Sequence, residues 1–118
     1  MDKQSITERV LKDDTLVIHP GRLLDNNNAH VMAEAIASAQ ANGYKFIIIE
    51  MTGLEFLSSA GVGSILSNVE TAREMGGDIV LCGVPGTILQ VLEVCDLTDY
   101  LTIRPGEKEA AELCGIVT

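Results

Sequence analysis

Four consecutive residues, Phe46-Ile47-Ile48-Ile49, leave this chain the fewest options. An unbroken run rich in β-branched side chains fits a central strand covered on both faces, or along most of one. After Met51 and a connection from Thr52 to Leu57, a helical pattern runs from Ala60 to Glu74. Val62, Ile65, Leu66, Val69 and Ala72 share one stripe of it, Ser64, Asn68, Glu70 and Arg73 lie away from the stripe, and Gly76-Gly77 ends it. Two serines, Ser58 and Ser59, stand where that helix begins.

The flanking sequence repeats the pattern. Ile6 to Leu11 reads as a short strand, Lys12-Asp13-Asp14 as a polar turn and Leu16-Val17-Ile18 as a second strand, which together make a hairpin. His19-Pro20-Gly21 stops it, because proline donates nothing to a ladder and glycine permits a sharp change of direction. His19 reads as a strand-end residue, with no second His, Cys or carboxylate at metal-ligand spacing nearby. Asp25 to Asn28 supply N-cap candidates for a helix from Ala29 to Gln40, with Met32, Ala35, Ile36 and Ala39 inward, His30 outward and Asn42-Gly43 at its close. The asparagine triplet is read as capping rather than as a ligand loop.

Ile79 to Cys82 forms another buried strand, and Gly83 to Gly86 turns the chain into a helix from Thr87 to Cys95, with Thr87 or Gly86 near its cap. Ile88, Leu89, Val91, Leu92 and Val94 cannot all face one way. Packing at a sheet edge accounts for that excess, and exposure to a partner is the second reading. Tyr100 to Ile103 is expected as an edge strand, with a break at Arg104-Pro105-Gly106 and a last helix from Glu107 to Leu113. The alternation predicts one α/β domain over residues 1–118. Its sheet is mixed and mostly parallel, with an N-terminal hairpin, right-handed crossovers and about four flanking helices.

Composition removes several classes of function. The chain has 118 residues, 47% of them hydrophobic, enough for a core without disulfide or metal staples. Its formal net charge is -9, and its eight Lys and Arg are scattered, so no basic stripe exists to track a phosphate backbone and direct nucleic-acid binding is not expected. No apolar run is long enough for a membrane span and the N-terminus has no apolar signal core, which reads as a soluble, cytoplasmic protein without membrane partners. Cys82, Cys95 and Cys114 include no Cys-x-x-Cys pair, and Cys82 and Cys95, each ending an apolar pattern, are expected as buried, reduced thiols. No metal or cofactor is expected.

The chemistry that remains lies between Thr52 and Ser59, on the connection leaving the carboxyl end of the middle strand. A hydroxyl at a helix start accepts from free backbone N–H groups, and a phosphate there meets the same donors and the positive end of the helix dipole. An unmodified capping serine is the more ordinary reading, and physics alone does not separate Ser58 from Ser59. A serine hydrolase would need Gly-x-Ser-x-Gly and a histidine base, whereas Leu57-Ser58-Ser59-Ala60-Gly61 lacks the first glycine and neither His19 nor His30 has an orienting carboxylate evident in the sequence. No Gly-x-x-x-x-Gly-Lys loop is present either.

These residues resemble the anti-sigma factor antagonists built on the STAS domain. The resemblance runs through Phe46-Ile47-Ile48-Ile49, Gly53-Leu54 and Phe56-Leu57-Ser58-Ser59-Ala60-Gly61-Val62-Gly63, and on through Gly76 to Gly83, Val91-Leu92-Glu93 and Asp96-Leu97. Gly21-Arg22-Leu23-Leu24-Asp25, with one extra residue, resembles the family's Gly-Arg-Leu-Asp. Aligning Gly61 with the family glycine puts Ser59 on the phosphorylated position, Ser58 on the preceding Asp and Ala60 on the following Ser. The resemblance implies a non-enzymatic, phosphorylation-controlled switch. Its unphosphorylated form binds an anti-sigma factor, often a serine kinase using ATP, through Asp25, Ser58, Ser59, Ala60, Gly61, Val62 and Gly63, and so frees the sigma factor. A phosphate on Ser59 weakens that binding, and a PP2C-type phosphatase resets it. Two rivals use the same domain differently: a scaffold subunit of a larger signalling assembly, and a small-ligand or nucleotide-binding module holding an anion at the Ser58 to Gly63 helix start.

Overall fold

The isoleucine run lies at the centre of a five-stranded sheet in the computed structural model, which describes residues 6–116. The strands are β1 (Thr7–Lys12), β2 (Thr15–His19), β4 (Phe46–Glu50), β6 (Asp78–Cys82) and β7 (Thr102–Arg104), in that spatial order. Between them in the chain come β3 (Leu23–Leu24) and β5 (Phe56–Leu57), a separate parallel pair. β1 and β2 form the expected antiparallel hairpin, with a bulge between Val10 and Lys12, and every other pairing in the large sheet is parallel. Because the order rises steadily with sequence, each crossover moves one strand along and its helix stays on the same face.

That topology sorts the helices. Helices α1 (Ala29–Ala41), α2 (Ser59–Leu66), α3 (Val69–Glu74) and α4 (Gly86–Val94) share one face, where Met32, Ile36, Val62, Ile65, Val69, Ala72, Ile88 and Leu92 meet Leu16, Ile18, Ile47, Ile49, Ile79 and Leu81. Among the described residues only α5 (Glu107–Leu113) covers the other face, where Ala110 and Cys114 meet Val17, Ile48, Val80 and Cys82. Successive strand residues point to opposite faces, so Ile48 serves one layer and its neighbours Ile47 and Ile49 the other. All three are fully buried, each stabilising the fold by roughly 1.5–3 kcal/mol. This is why the run contains no polar residue.

Three expectations are corrected. The helix predicted from Ala60 to Glu74 is two helices, α2 and α3, broken at Ser67 and Asn68. Helix α1 holds the break: the Gln40 side-chain amide donates to the Asn68 carbonyl at 3.0 Å, and the Asn68 amide donates to the Ala33 carbonyl at 3.4 Å. Cys95 is exposed at the end of α4 rather than buried, because α4 turns only Ile88 and Leu92 fully inward; Val94 is 84% exposed. Asn28 stands at the N-cap position of α1 without making a side-chain cap bond. Cys82 and Cys114 are buried, and burial pushes their thiols up to about 12 and about 11.

Candidate functional site

The β4 exit is braced before it reaches the serines. The Glu50 carboxylate accepts the Thr52 backbone N–H at 3.2 Å and the Thr52 hydroxyl, and Gly83 backs the pair where a Cβ would strike both side chains. Met51 and Leu54 are buried, and the Leu54 N–H closes a turn on the Met51 carbonyl at 2.9 Å. The chain then runs alongside the segment leaving β2, pairing Leu23 with Phe56 and Leu24 with Leu57. Alternation turns Leu24 and Leu57 inward and leaves Phe56 51% exposed. Arg22 and Glu55 extend the pairing with two side-chain hydrogen bonds, at 3.0 and 3.1 Å. That contact holds the Glu55 carboxyl below its usual range and raises Arg22; both side chains are exposed, so their attraction is strongly screened.

This small parallel pair sets the start of α2. The Ser58 N–H donates to the Leu24 carbonyl at 3.0 Å, and the Ser58 hydroxyl caps the helix by accepting from the Gly61 N–H at 3.1 Å. Gly61 is buried against Leu24, and a Cβ on it would fall 2.5 Å from the Leu24 carbonyl oxygen. Only glycine lets the two segments approach so closely. The two serines are therefore not equivalent. Ser58 is the cap, extended and partly buried; Ser59 is the first helical residue, exposed, and its hydroxyl has no hydrogen bond among the described residues.

The loop between β3 and α1 closes the other side. Its polar side chains mostly serve its own backbone: Asp25 accepts the Asn27 N–H at 2.9 Å, and Asn28 accepts the Asp25 N–H at 2.9 Å and donates to the Leu23 carbonyl at 2.8 Å. Asn26 instead reaches across, its side-chain oxygen accepting from the Ser58 hydroxyl at 3.4 Å. The predicted residues Asp25 and Ser58 to Gly63 thus come together, with different orientations. Ser59 and Gly63 are exposed, Asp25, Ser58 and Ala60 are partly buried, and Gly61 and Val62 face inward. Asn26 and Phe56 were not singled out from the sequence. The alternation of Phe56 with Leu57 was an available signal; Asn26 was hidden in a triplet that reads as caps.

In a chain carrying a net charge of -9, the first turn of α2 has no acidic residue and its cap is neutral. The positive end of the helix dipole is left without an anionic side chain of its own, and the N–H groups of Ser59 and Ala60 have no partner among the described residues. The arrangement suits an exposed hydroxyl that gains and loses negative charge.

Known proteins share this architecture. The chain is 22% identical over 100 residues to the anti-sigma-F factor antagonist RsfA of Mycobacterium tuberculosis, covering 83% of this chain and 78% of that protein. It superposes on the anti-sigma factor antagonist SpoIIAA in its unphosphorylated form with a TM-score of 0.82 at 22% identity, covering 97% of this chain and all of that one. The phosphorylated form of SpoIIAA from Bacillus matches with a TM-score of 0.73, also at 22% identity, over 92% of this chain and 97% of that one. Residues 7–110 match the STAS domain, a span that takes in the hairpin, the paired β3 and β5 segments, the Ser58 cap and most of α5. With that match running through nearly every element described, the chain belongs to the STAS domain family.

Proposed function

We propose that this protein is an anti-sigma factor antagonist whose docking surface is the α2 start, the β3–α1 loop and Phe56, and whose state is set by phosphorylation of Ser59. One observation carries the reading: of the two serines, Ser58 is committed to the helix cap while Ser59 presents an unengaged, exposed hydroxyl beside it. The similarity to RsfA and SpoIIAA supports the choice of partner.

In the unphosphorylated state this corner docks on an anti-sigma factor and releases the sigma factor. When that partner is a serine kinase, the Ser59 oxygen attacks the γ-phosphorus of ATP held by the partner, the bond to the bridging oxygen breaks, ADP leaves and the hydroxyl proton passes to a base on the kinase. The product carries about 1.5–2 extra negative charges in the interface. The Ser59 and Ala60 N–H groups and the α2 dipole accept that charge without unfolding the helix, so the loss falls on binding. Hydrolysis by a PP2C-type phosphatase restores the hydroxyl.

Mass spectrometry of the protein purified from its own cells tests this directly. The expected results are a phosphate on Ser59 and a co-purifying anti-sigma factor. Ser59→Ala should remove the phosphate and keep the partner, whereas Ser59→Asp should weaken the purified complex by about tenfold or more with the melting temperature unchanged. Continued phosphorylation of Ser59→Ala, or equal affinity of Ser59→Asp, rejects the assignment.

A further inference from the structure

The Ser58 hydroxyl has one proton and, at present, gives it to Asn26. Its lone pair meanwhile holds the Gly61 N–H, so the same oxygen caps α2 and ties that helix to the β3–α1 loop. The two bonds differ in quality: the cap is 3.1 Å, whereas the tie to Asn26 is 3.4 Å and solvent-exposed. Asn26 is also the only residue of Asp25 to Asn28 whose side chain bonds to α2 among the described residues; Asp25 and Asn28 are occupied within the loop.

We infer that Ser58 and Asn26 form a relay that carries the state of Ser59 to the β3–α1 loop. This inference rests on Ser59 being the phosphorylated residue. A phosphate on Ser59 brings a strongly charged acceptor next to the Ser58 hydroxyl, and a charge-assisted hydrogen bond is roughly twice as strong as a neutral one. The single Ser58 proton turns from the Asn26 oxygen to the phosphate, while the lone pair keeps the Gly61 N–H and α2 stays capped. Asn26 loses its tie to the helix, and the Asp25 oxygens that hold the Asn27 and Asn28 N–H groups let go more often, while the Asn28 side chain still closes the loop on Leu23. One modification therefore alters two parts of the docking surface, charge at α2 and order at the loop. The relay needs a hydroxyl at position 58, since a carboxylate there has no proton to hand over.

Site-specific incorporation of phosphoserine at position 59 of the full chain tests the relay without any kinase, so its outcome is independent of which enzyme, if any, modifies the protein in cells. Nuclear magnetic resonance of the Asn26 side-chain amide, and hydrogen exchange at Asn27 and Asn28, read the loop. Phosphoserine should shift the Asn26 amide and speed exchange at its neighbours by about threefold to tenfold, the loss of one neutral hydrogen bond. Ser58→Gly, which keeps most of the capping tendency, should show the loosened loop before modification and no further change after it. Asn26→Ala, which leaves the cap untouched, should also exchange fast with or without phosphate. An unmoved loop in phosphorylated parent, or an equal phosphate effect in Ser58→Gly, overturns the relay and leaves only a through-space effect of charge.

Discussion

Helices α2 and α4 each follow the exit from the carboxyl end of a parallel strand, β4 and β6, α2 after the intervening β5, and the two starts are built differently. The α2 start is bound on all sides: a side-chain cap from Ser58, a backbone bond to Leu24, a glycine pressed on the Leu24 carbonyl and a tie to Asn26. The α4 start has Pro85 at its cap with no side-chain bond, and Gly86 stands in open space. Fold alone requires only what α4 has, a turn that redirects the chain into a helix. The additional contacts at α2 fix the backbone that carries Ser59, and under the proposed function such preorganisation lowers the ordering cost of binding.

The largest expected break in this comparison comes from adding one methyl group to each start. Gly61→Ala places a carbon against the Leu24 backbone oxygen, which cannot move without disturbing the β3–β5 pair, and should destabilise the fold by about 1–3 kcal/mol. Gly86→Ala meets nothing within 4 Å and should be neutral or stabilise by about 0.4–1 kcal/mol through the unfolded state. Urea unfolding of both variants checks the contrast; equal midpoints would mean that the close approach at Gly61 carries no structural demand.

Much of this architecture was legible because its causes are local. The runs at Leu16, Phe46 and Ile79 and the stripe of α1 announce themselves through periodicity. The β3–β5 pair did not, since two residues have no period and their partners are more than 30 positions apart. The α2–α3 break was invisible for the opposite reason: the stripe from Val62 to Ala72 continues through it, and the groups that meet the break, Gln40 and Ala33, lie on another element. Cys95 failed because an apolar pattern too wide for one face says that something is exposed without saying which residue. At the site, the family resemblance drew Asp25 and Ser58 to Gly63 into one group, which the fold brings together, but the separate tasks of Ser58 and Ser59 depend on which hydroxyl reaches Gly61.

A smaller effect sharpens the comparison at the level of single hydroxyls. Ser58→Ala removes a cap and the tie to Asn26, and should cost about 1 kcal/mol. Thr87→Ala, in the first turn of α4, removes a side chain with no hydrogen bond among the described residues and should change stability by less than about 0.5 kcal/mol. Thermal unfolding of the pair distinguishes them, and a neutral Ser58→Ala would remove the argument that this serine is spoken for.

The smallest effect separates folding from docking. Gly63 lies on the exposed side of α2, one turn after Ser59, with nothing within 4 Å of where its Cβ would be. Nothing among the described residues calls for a glycine there, and a mid-helix glycine costs about 0.5–1 kcal/mol relative to alanine. Under the proposed docking of an anti-sigma factor at this corner, a partner's surface calls for one, because a bare helix backbone lets it settle closely beside Ser59. Gly63→Ala should therefore raise the unfolding midpoint while weakening the complex with the co-purified anti-sigma factor. Gly61→Ala, by contrast, should lower stability through contacts within the chain. If Gly63→Ala gains stability and binds as tightly as the parent, the partner does not lie against this turn of α2, and the docking surface contracts to the Ser59 corner, Phe56 and the β3–α1 loop.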